Sequence, residues 1–470
     1  MIEIAVSALL GAVLGTWPMY QHDPARTGRT SPSLVYTNQP NVVWKTYIPG
    51  SPSAPIAGAD SSVYVVTQGG YLHKIHAQTG TLIWSFPIGG ACWGIPALNP
   101  QEDTVYCTWA YDKKRWWQGH VYSVRSSSGS QNWEIILPGG GSWTGNHLAV
   151  DQTGVLYVVD CSNPDGMVNA INPDGTFKWS VPVPDVGGEE DLFALSVDEA
   201  RAHLITGGWN SERRVICLST SDGSHLWSVW TGSATGISAC VDPSSGTVYH
   251  PGSDGILRAI SSDGNPIWSA NLSVVSTPAL SRDGSMIYCP GSNAFYAVNS
   301  TDGSVAWSKP IGSSSSPAVD GNGNVIVPSS DGHLYLLSGS SGNTLWDVLV
   351  TANPLSHIAC AGWEDRIWIF VTANDTVYGL SALPVEAKEN LPEGFGVEFK
   401  SAGKSIYLFM PNDAQVSLAI YDAPGRLVQR LYDGVLSSGG HTFNPTLEAK
   451  GVYMAVLRYQ GGMKSLKVIR

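Results

Sequence analysis

At 470 residues the chain is long enough for one large repeat domain and a smaller companion. Its 52 glycines, 29 prolines and 18 tryptophans, with only 14% charged residues, suit many short strands joined by tight turns. A net charge of −12, with no Lys/Arg cluster beyond Lys113-Lys114-Arg115, excludes a nucleic-acid backbone as the main partner.

The first segment, Met1 to Gly15, has an apolar core of signal-peptide length but carries Glu3 where a Lys or Arg is usual. Residues 1–16 are therefore set aside as a possible signal segment. After them, no stretch is long and apolar enough to cross a bilayer. Seven cysteines stand singly and no CxxC occurs, which argues against a zinc knot or a thioredoxin-like site. Most fall inside apolar strand segments, as in Val105-Tyr106-Cys107, and read as small buried residues.

From residue 80 onward seven pairs in which a glycine precedes a tryptophan by four positions recur at intervals of 39 to 49 residues: Gly80/Trp84, Gly129/Trp133, Gly175/Trp179, Gly223/Trp227, Gly264/Trp268, Gly303/Trp307 and Gly342/Trp346. Trp44 is an eighth member without the glycine. The period belongs to radially repeated four-stranded sheets, each built from two hairpins. One such unit runs from Asp254-Gly255 through alternating apolar residues to Asp263-Gly264 and Trp268. The glycines supply the positive φ that the hairpin turns require. A blade buries both faces only by stacking on its neighbours. Trp44, Trp84, Trp133, Trp179, Trp227, Trp268, Trp307 and Trp346 are expected to dock blade against blade, each indole N–H reaching a carbonyl across the interface.

The run Arg366 to Leu380 supplies inner strands but has no Gly-x-x-x-Trp strand after it. The orphan strand around Trp44 is expected to complete that last blade and close a ring of eight. All tryptophans and cysteines precede Pro384, and the last 86 residues carry +2 while the rest carries −14. The expected organisation is an all-β chain: a propeller over 17–383, a linker over 384–394 and a small Ig-like β-sandwich over 395–470.

The repeat resembles the PQQ-like β-propeller unit, most closely at Gly332-His333-Leu334-Tyr335-Leu336-Leu337 with Gly342 and Trp346. The opening Trp17-Pro18-Met19-Tyr20 to Gly28 resembles the lead-in of secreted members. That family includes quinoprotein dehydrogenases, which use PQQ and calcium, and non-catalytic propellers such as the scaffold lipoprotein of outer-membrane barrel assembly. The adjacent-cysteine disulfide that covers the quinone in many of the enzymes has no counterpart in this sequence. A calcium set among Asp160, Asn163, Asp165, Glu189, Glu190 and Asp191 belongs only to the enzyme alternative. No cofactor is expected under the non-catalytic reading, and no metal site or catalytic constellation is assigned. The segment from residue 392 resembles the type A C-terminal sorting domain of type IX secretion substrates. Ile420-Tyr421-Asp422, Gly425-Arg426, Gly439-Gly440-His441 and Gly451-Val452-Tyr453 carry that likeness. It implies contact with secretion machinery and a secreted or cell-surface location.

The first three intervals between glycine-paired tryptophans are 49, 46 and 48 residues and the later ones 39 to 41, so extra loop length sits on one arc. Loop aromatics on that arc, Trp93, Trp116, Trp117, Trp143, Phe193 and Trp209, are candidates for a rim at one mouth of the channel. Trp363 and His357 are expected at the same rim in the closing blade. A protein or glycan is the expected ligand. A carbohydrate-active propeller is the further alternative, with Glu189-Glu190-Asp191 as its weak acidic candidate.

Overall fold

A computed structural model describes residues 13–89, 94–109, 119–138, 148–160, 166–183, 192–208, 213–233, 237–313, 315–363, 366–381, 398–402, 405–410, 413–422, 427–447, 452–459 and 462–469. The described residues contain no α-helix, and no helix is long and apolar enough to cross a membrane. The chain divides into two units, Met1–Leu383 and Pro384–Arg470.

The first unit is eight antiparallel sheets taken in chain order. Blade 1 starts with the strand Ile56–Gly58 and ends with Leu82–Pro87; blade 7 starts with Ala318–Val319 and ends with Thr344–Leu349. Blade 8 joins the two ends of the unit. Its strands Ile358–Trp363, Arg366–Ala373 and Thr376–Ser381 are followed in space by Asn41–Tyr47, with Trp44 opposite Gly379 and Thr46 opposite Val377. Register is fixed because the strand pairs bury one face: Trp44 is 8% exposed while Val43 beside it is 49% exposed.

The tryptophan metronome has a two-part cause. Seven of the eight docking indoles donate to a main-chain carbonyl of the next blade: Trp44 to Ala77, Trp84 to Ser126, Trp133 to Pro173, Trp179 to Thr220, Trp227 to Ser262, Trp268 to Ser300 and Trp307 to Gly339, at 2.7 to 3.1 Å. The ring then lies on the turn glycine of that next blade. A Cβ on Gly80 would stand 2.6 Å from Trp44 Cε3, and one on Gly129 would stand 2.8 Å from Trp84 Cδ2. Both glycines also have φ of +70°, which L side chains rarely adopt. Each glycine therefore serves the tryptophan of the preceding repeat. Trp346 alone lacks such a glycine, because blade 8 has no hairpin between its last two strands. Its indole donates instead to the carbonyl of Tyr36, just upstream of the closing strand, at 2.8 Å.

The five described cysteines, Cys107, Cys217, Cys240, Cys289 and Cys360, are buried, and the last four are free. Burial holds the thiols of the last four well above their ordinary pKa. Cys92 and Cys161 lie outside the described residues.

The second unit contains two antiparallel sheets. One orders Glu398–Ala402, Ser405–Met410 and Gly439–Phe443; the other orders Leu427–Leu436, Ala414–Asp422, Val452–Tyr459 and Gly462–Ile469. Ile406, Leu408, Leu418, Ile420, Ala455 and Leu457 form its core, all fully buried. The alternation of Val416, Leu418 and Ile420 puts one face of its strand inward.

Candidate functional site: the propeller axis

The innermost strand of each blade is an edge, and its free N–H and C=O groups face the channel. Residues 13–36 meet those groups in one circuit. Val13–Gly15 pairs with Ile358–Trp363 of blade 8, so the propeller begins inside the stretch set aside as a possible signal segment, and Trp17 exchanges two 2.8 Å hydrogen bonds with Ala57 of blade 1. The N–H groups of Leu98, Val197, Val241, Leu280 and Val319 donate to the carbonyls of Pro18, Pro24, Ala25, Thr27 and Gly28, covering blades 2, 4, 5, 6 and 7. Blade 3 is reached by a side chain: Arg26 donates to Leu148 O at 2.7 Å, and also to Tyr20 O and Leu195 O. All eight blades are thus tied to one segment, which forms a hub.

The hub enters and leaves at the same end of the channel. Val13 lies opposite Trp363, and Leu34 O accepts from Gly321 N at the first turn of blade 7. Its far end is Tyr20, whose hydroxyl is 2.7 Å from Ser316 Oγ at the other end of the inner strands. Gln21, His22 and Arg26 all adopt positive φ, at 57°, 73° and 60°. Such strain, of order 1–3 kcal/mol per residue, persists where surrounding contacts over-determine it.

Arg26 is fully buried, and desolvation lowers its pKa to about 10 while Tyr20 and Asp23 oppose that shift. Burial raises the Asp23 carboxyl, but hydrogen bonds and charge from His22, with hydrogen bonds from Thr27, outweigh it and hold it below the usual range. Arg29 donates to Leu280 O and Ser281 O, and Arg282 to Asp320 O and Thr30 O. Each hub arginine is thus committed to main-chain carbonyls.

Beside Tyr20 the inner strands of blades 5 to 8 begin with an arc of neutral groups. Ser238, Thr277, Ser316 and His357 take equivalent places in blades 5 to 8, three residues before Val241, Leu280, Val319 and Cys360. Ser316 N donates to His357 Nδ1 at 2.9 Å, Ser276 Oγ lies 2.7 Å from Ser316 Oγ, and the Tyr20 ring meets the His357 ring edge-on at 5.0 Å. Because Nδ1 accepts, the imidazole proton sits on Nε2. Desolvation pushes the His357 pKa down to about 4 and raises that of Tyr20, so both are uncharged near neutral pH.

Sequence expectations meet this geometry unevenly. His357 immediately precedes the inner strand of blade 8, with its ring against Tyr20. Trp363 does not join it: it ends the strand that His357 precedes, so the two lie at opposite ends of the inner strand of blade 8. Trp363 is 2% exposed and packs 6.1 Å from the Phe370 ring, because its strand is covered by Val13–Gly15 and is no longer an edge. Phe193 opens the inner strand of blade 4, Leu192–Asp198, at the same end as His357. Trp93, Trp116, Trp117, Trp143 and Trp209 lie outside the described residues. Tyr20, Arg26, Ser276 and Ser316 were not singled out from sequence, although the crowded Tyr20-to-Gly28 stretch was visible as a lead-in.

The quinone of PQQ enzymes carries three carboxylates and is held with a divalent cation. The described mouth has a neutral imidazole beside buried hydroxyls, and the Arg26 guanidinium already has three carbonyl partners. Among the described residues no group of three or more His, Cys, Asp or Glu side chains is placed to hold a metal ion. Asp160 is buried in blade 3; Asn163, Asp165, Glu189, Glu190 and Asp191 lie outside the described residues.

The family model described as outer membrane protein assembly factor BamB matches residues 33–115, 117–348 and 253–381. The chain belongs to that family. Among solved structures it is similar to quinohemoprotein alcohol dehydrogenase from Comamonas testosteroni, at 12% identity and TM-score 0.63, with 83% of each chain covered. It is also similar to BamB from Moraxella catarrhalis, at 14% identity and TM-score 0.54, covering 73% of this chain and 100% of that one. Quinohemoprotein alcohol dehydrogenase ADHIIG from Pseudomonas putida HK5 aligns at 11% identity and TM-score 0.63, covering 78% and 80%. These likenesses establish a shared fold. No curated protein matches in sequence.

Proposed function

We propose that this BamB-family chain is an exported, non-catalytic scaffold propeller that binds a protein partner at the mouth above Tyr20, and that its C-terminal unit sorts it to the cell surface. The observation that carries the non-catalytic reading is the hub. It occupies the axis, and Arg26 is committed to Tyr20, Leu148 and Leu195 carbonyls, while the half-buried, uncharged His357 stands above the buried Ser276 and Ser316. A neutral, hydrogen-bonding arc suits peptide groups better than a polyanionic redox cofactor. The assembly-factor description of the family favours a protein partner over a small substrate.

Two experiments test the two halves. Reconstitution with PQQ and calcium, followed by a dye-linked alcohol and sugar oxidation assay, is expected to give no turnover; reproducible turnover overturns the scaffold reading. Deleting residues 392–470 is expected to leave the propeller in the periplasm by cell fractionation. Undiminished surface delivery of that truncated chain rejects the sorting role while leaving the scaffold role standing.

A further inference from the structure

We propose that residues 13–36 dock as a single cooperative unit in the last step of folding, and that this one event locks all eight blades together. The partners of the segment run from Ala57 in blade 1 to Trp363 in blade 8, so its contacts exist only once every blade is present. Both of its ends lie at the same end of the channel, at Val13 beside Trp363 and at Leu34 beside Gly321. It therefore enters between the assembled blades as a loop, with no threading.

The segment also has little reason to hold its shape before docking. Gln21, His22 and Arg26 stand in the left-handed region, which non-glycine residues leave when nothing holds them there. The buried Arg26 guanidinium finds its carbonyls on two different blades, Leu148 and Leu195, and partial docking would bury that charge with donors unmet. A half-inserted hub is thus disfavoured from both sides. Closure of blade 8 is coupled to the same event, since Tyr36 joins Trp346 and Trp368 only five residues before the closing strand begins at Asn41. A chain still lacking residues 357–381 stays open, whatever its first blades have formed.

Hydrogen exchange of the full chain, read by mass spectrometry, tests the unit. The amides of Ala57, Leu98, Val197, Val241, Leu280 and Val319 all pair with the hub, and they are expected to share one opening free energy. Gly28→Val places a Cβ 2.8 Å from Ala279 Cβ at φ +65° and is expected to speed all six by a common factor, about 100-fold. Amides inside Leu156–Asp160, away from the hub, are expected to keep their rate. In pulse-labelled refolding of the unaltered chain the six hub-paired amides should gain protection together, after those of Leu156–Asp160. If Gly28→Val does not fold, Arg26→Gln replaces it, and the refolding order needs no variant at all. Acceleration confined to Leu280 and Val319, equal acceleration of Leu156–Asp160, no acceleration, or protection of the six amides at separate times each overturns the proposal.

Discussion

Gly303 lies against Trp268 of the preceding blade, not against Trp307 four residues ahead of it in the chain. A Cβ on Gly303 would stand 2.5 Å from Trp268 Cε3, at φ +74°. Trp307 turns the other way and rests on Gly342. The spacing within a repeat therefore records a contact between repeats, because each hairpin turn sits under the ring of the neighbour it receives.

Gly303→Ala is expected to destabilise the propeller by about 2–4 kcal/mol, combining left-handed strain with overpacking. Trp268→Ala is expected to cost about 3–5 kcal/mol. The discriminating measurement is a double-mutant cycle in urea. Gly303 should couple to Trp268 by more than about 0.5 kcal/mol and add independently with Trp307; the reverse pattern would falsify the inter-blade assignment.

The mouth histidine makes stability depend on pH. His357 has a folded pKa of about 4, below its ordinary 6.5, so the unfolded chain binds its proton first as pH falls. Stability is fully present above about pH 6.5 and is lost between there and pH 4, by up to about 3 kcal/mol from this group. His250, buried in blade 5 and pushed down to about 3 by desolvation, adds a loss of the same sign. Urea midpoints from pH 7.5 to 4.5 should fall, and His357→Gln should flatten the curve. An unaltered slope in that variant removes His357 from the account.

Arg26 is expected to be the least replaceable charge in the chain. Arg26→Met leaves the Tyr20, Leu148 and Leu195 carbonyls without donors in the interior and should cost about 3–5 kcal/mol. By contrast, Arg430→Met in the C-terminal unit, whose partner Asp433 is exposed, should cost under about 1 kcal/mol. Thermal melts of the two variants check the contrast.

Adding PQQ with calcium is expected to leave the melting temperature of the protein unchanged, since a ligand stabilises only the state it binds. A concentration-dependent rise means that a site for the tricarboxylate exists, contrary to the uncharged mouth formed by His357, Ser316 and Ser276.

How far the sequence could be read follows from what repeats. Local alternation and the glycine–tryptophan spacing recur in phase, so strand identity, eight blades and closure of blade 8 by the strand at Trp44 were all legible: they depend on periodic patterns and on counting. The second unit was legible for the same reason, from the alternation around Val416 to Ile420. The site was not. Residues 13–36 occur once, follow no period, and gain their meaning from single hydrogen bonds to eight strands spread between Ala57 and Trp363. Trp363 shows the limit clearly: nothing local tells an indole at a strand end whether that strand is a free edge or covered by chain from 350 residues earlier. Composition and period thus determined the wheel, because each blade repeats the same local chemistry. Tertiary structure alone decided what fills the axle, since unpaired edge groups take whichever segment the closed ring brings to them.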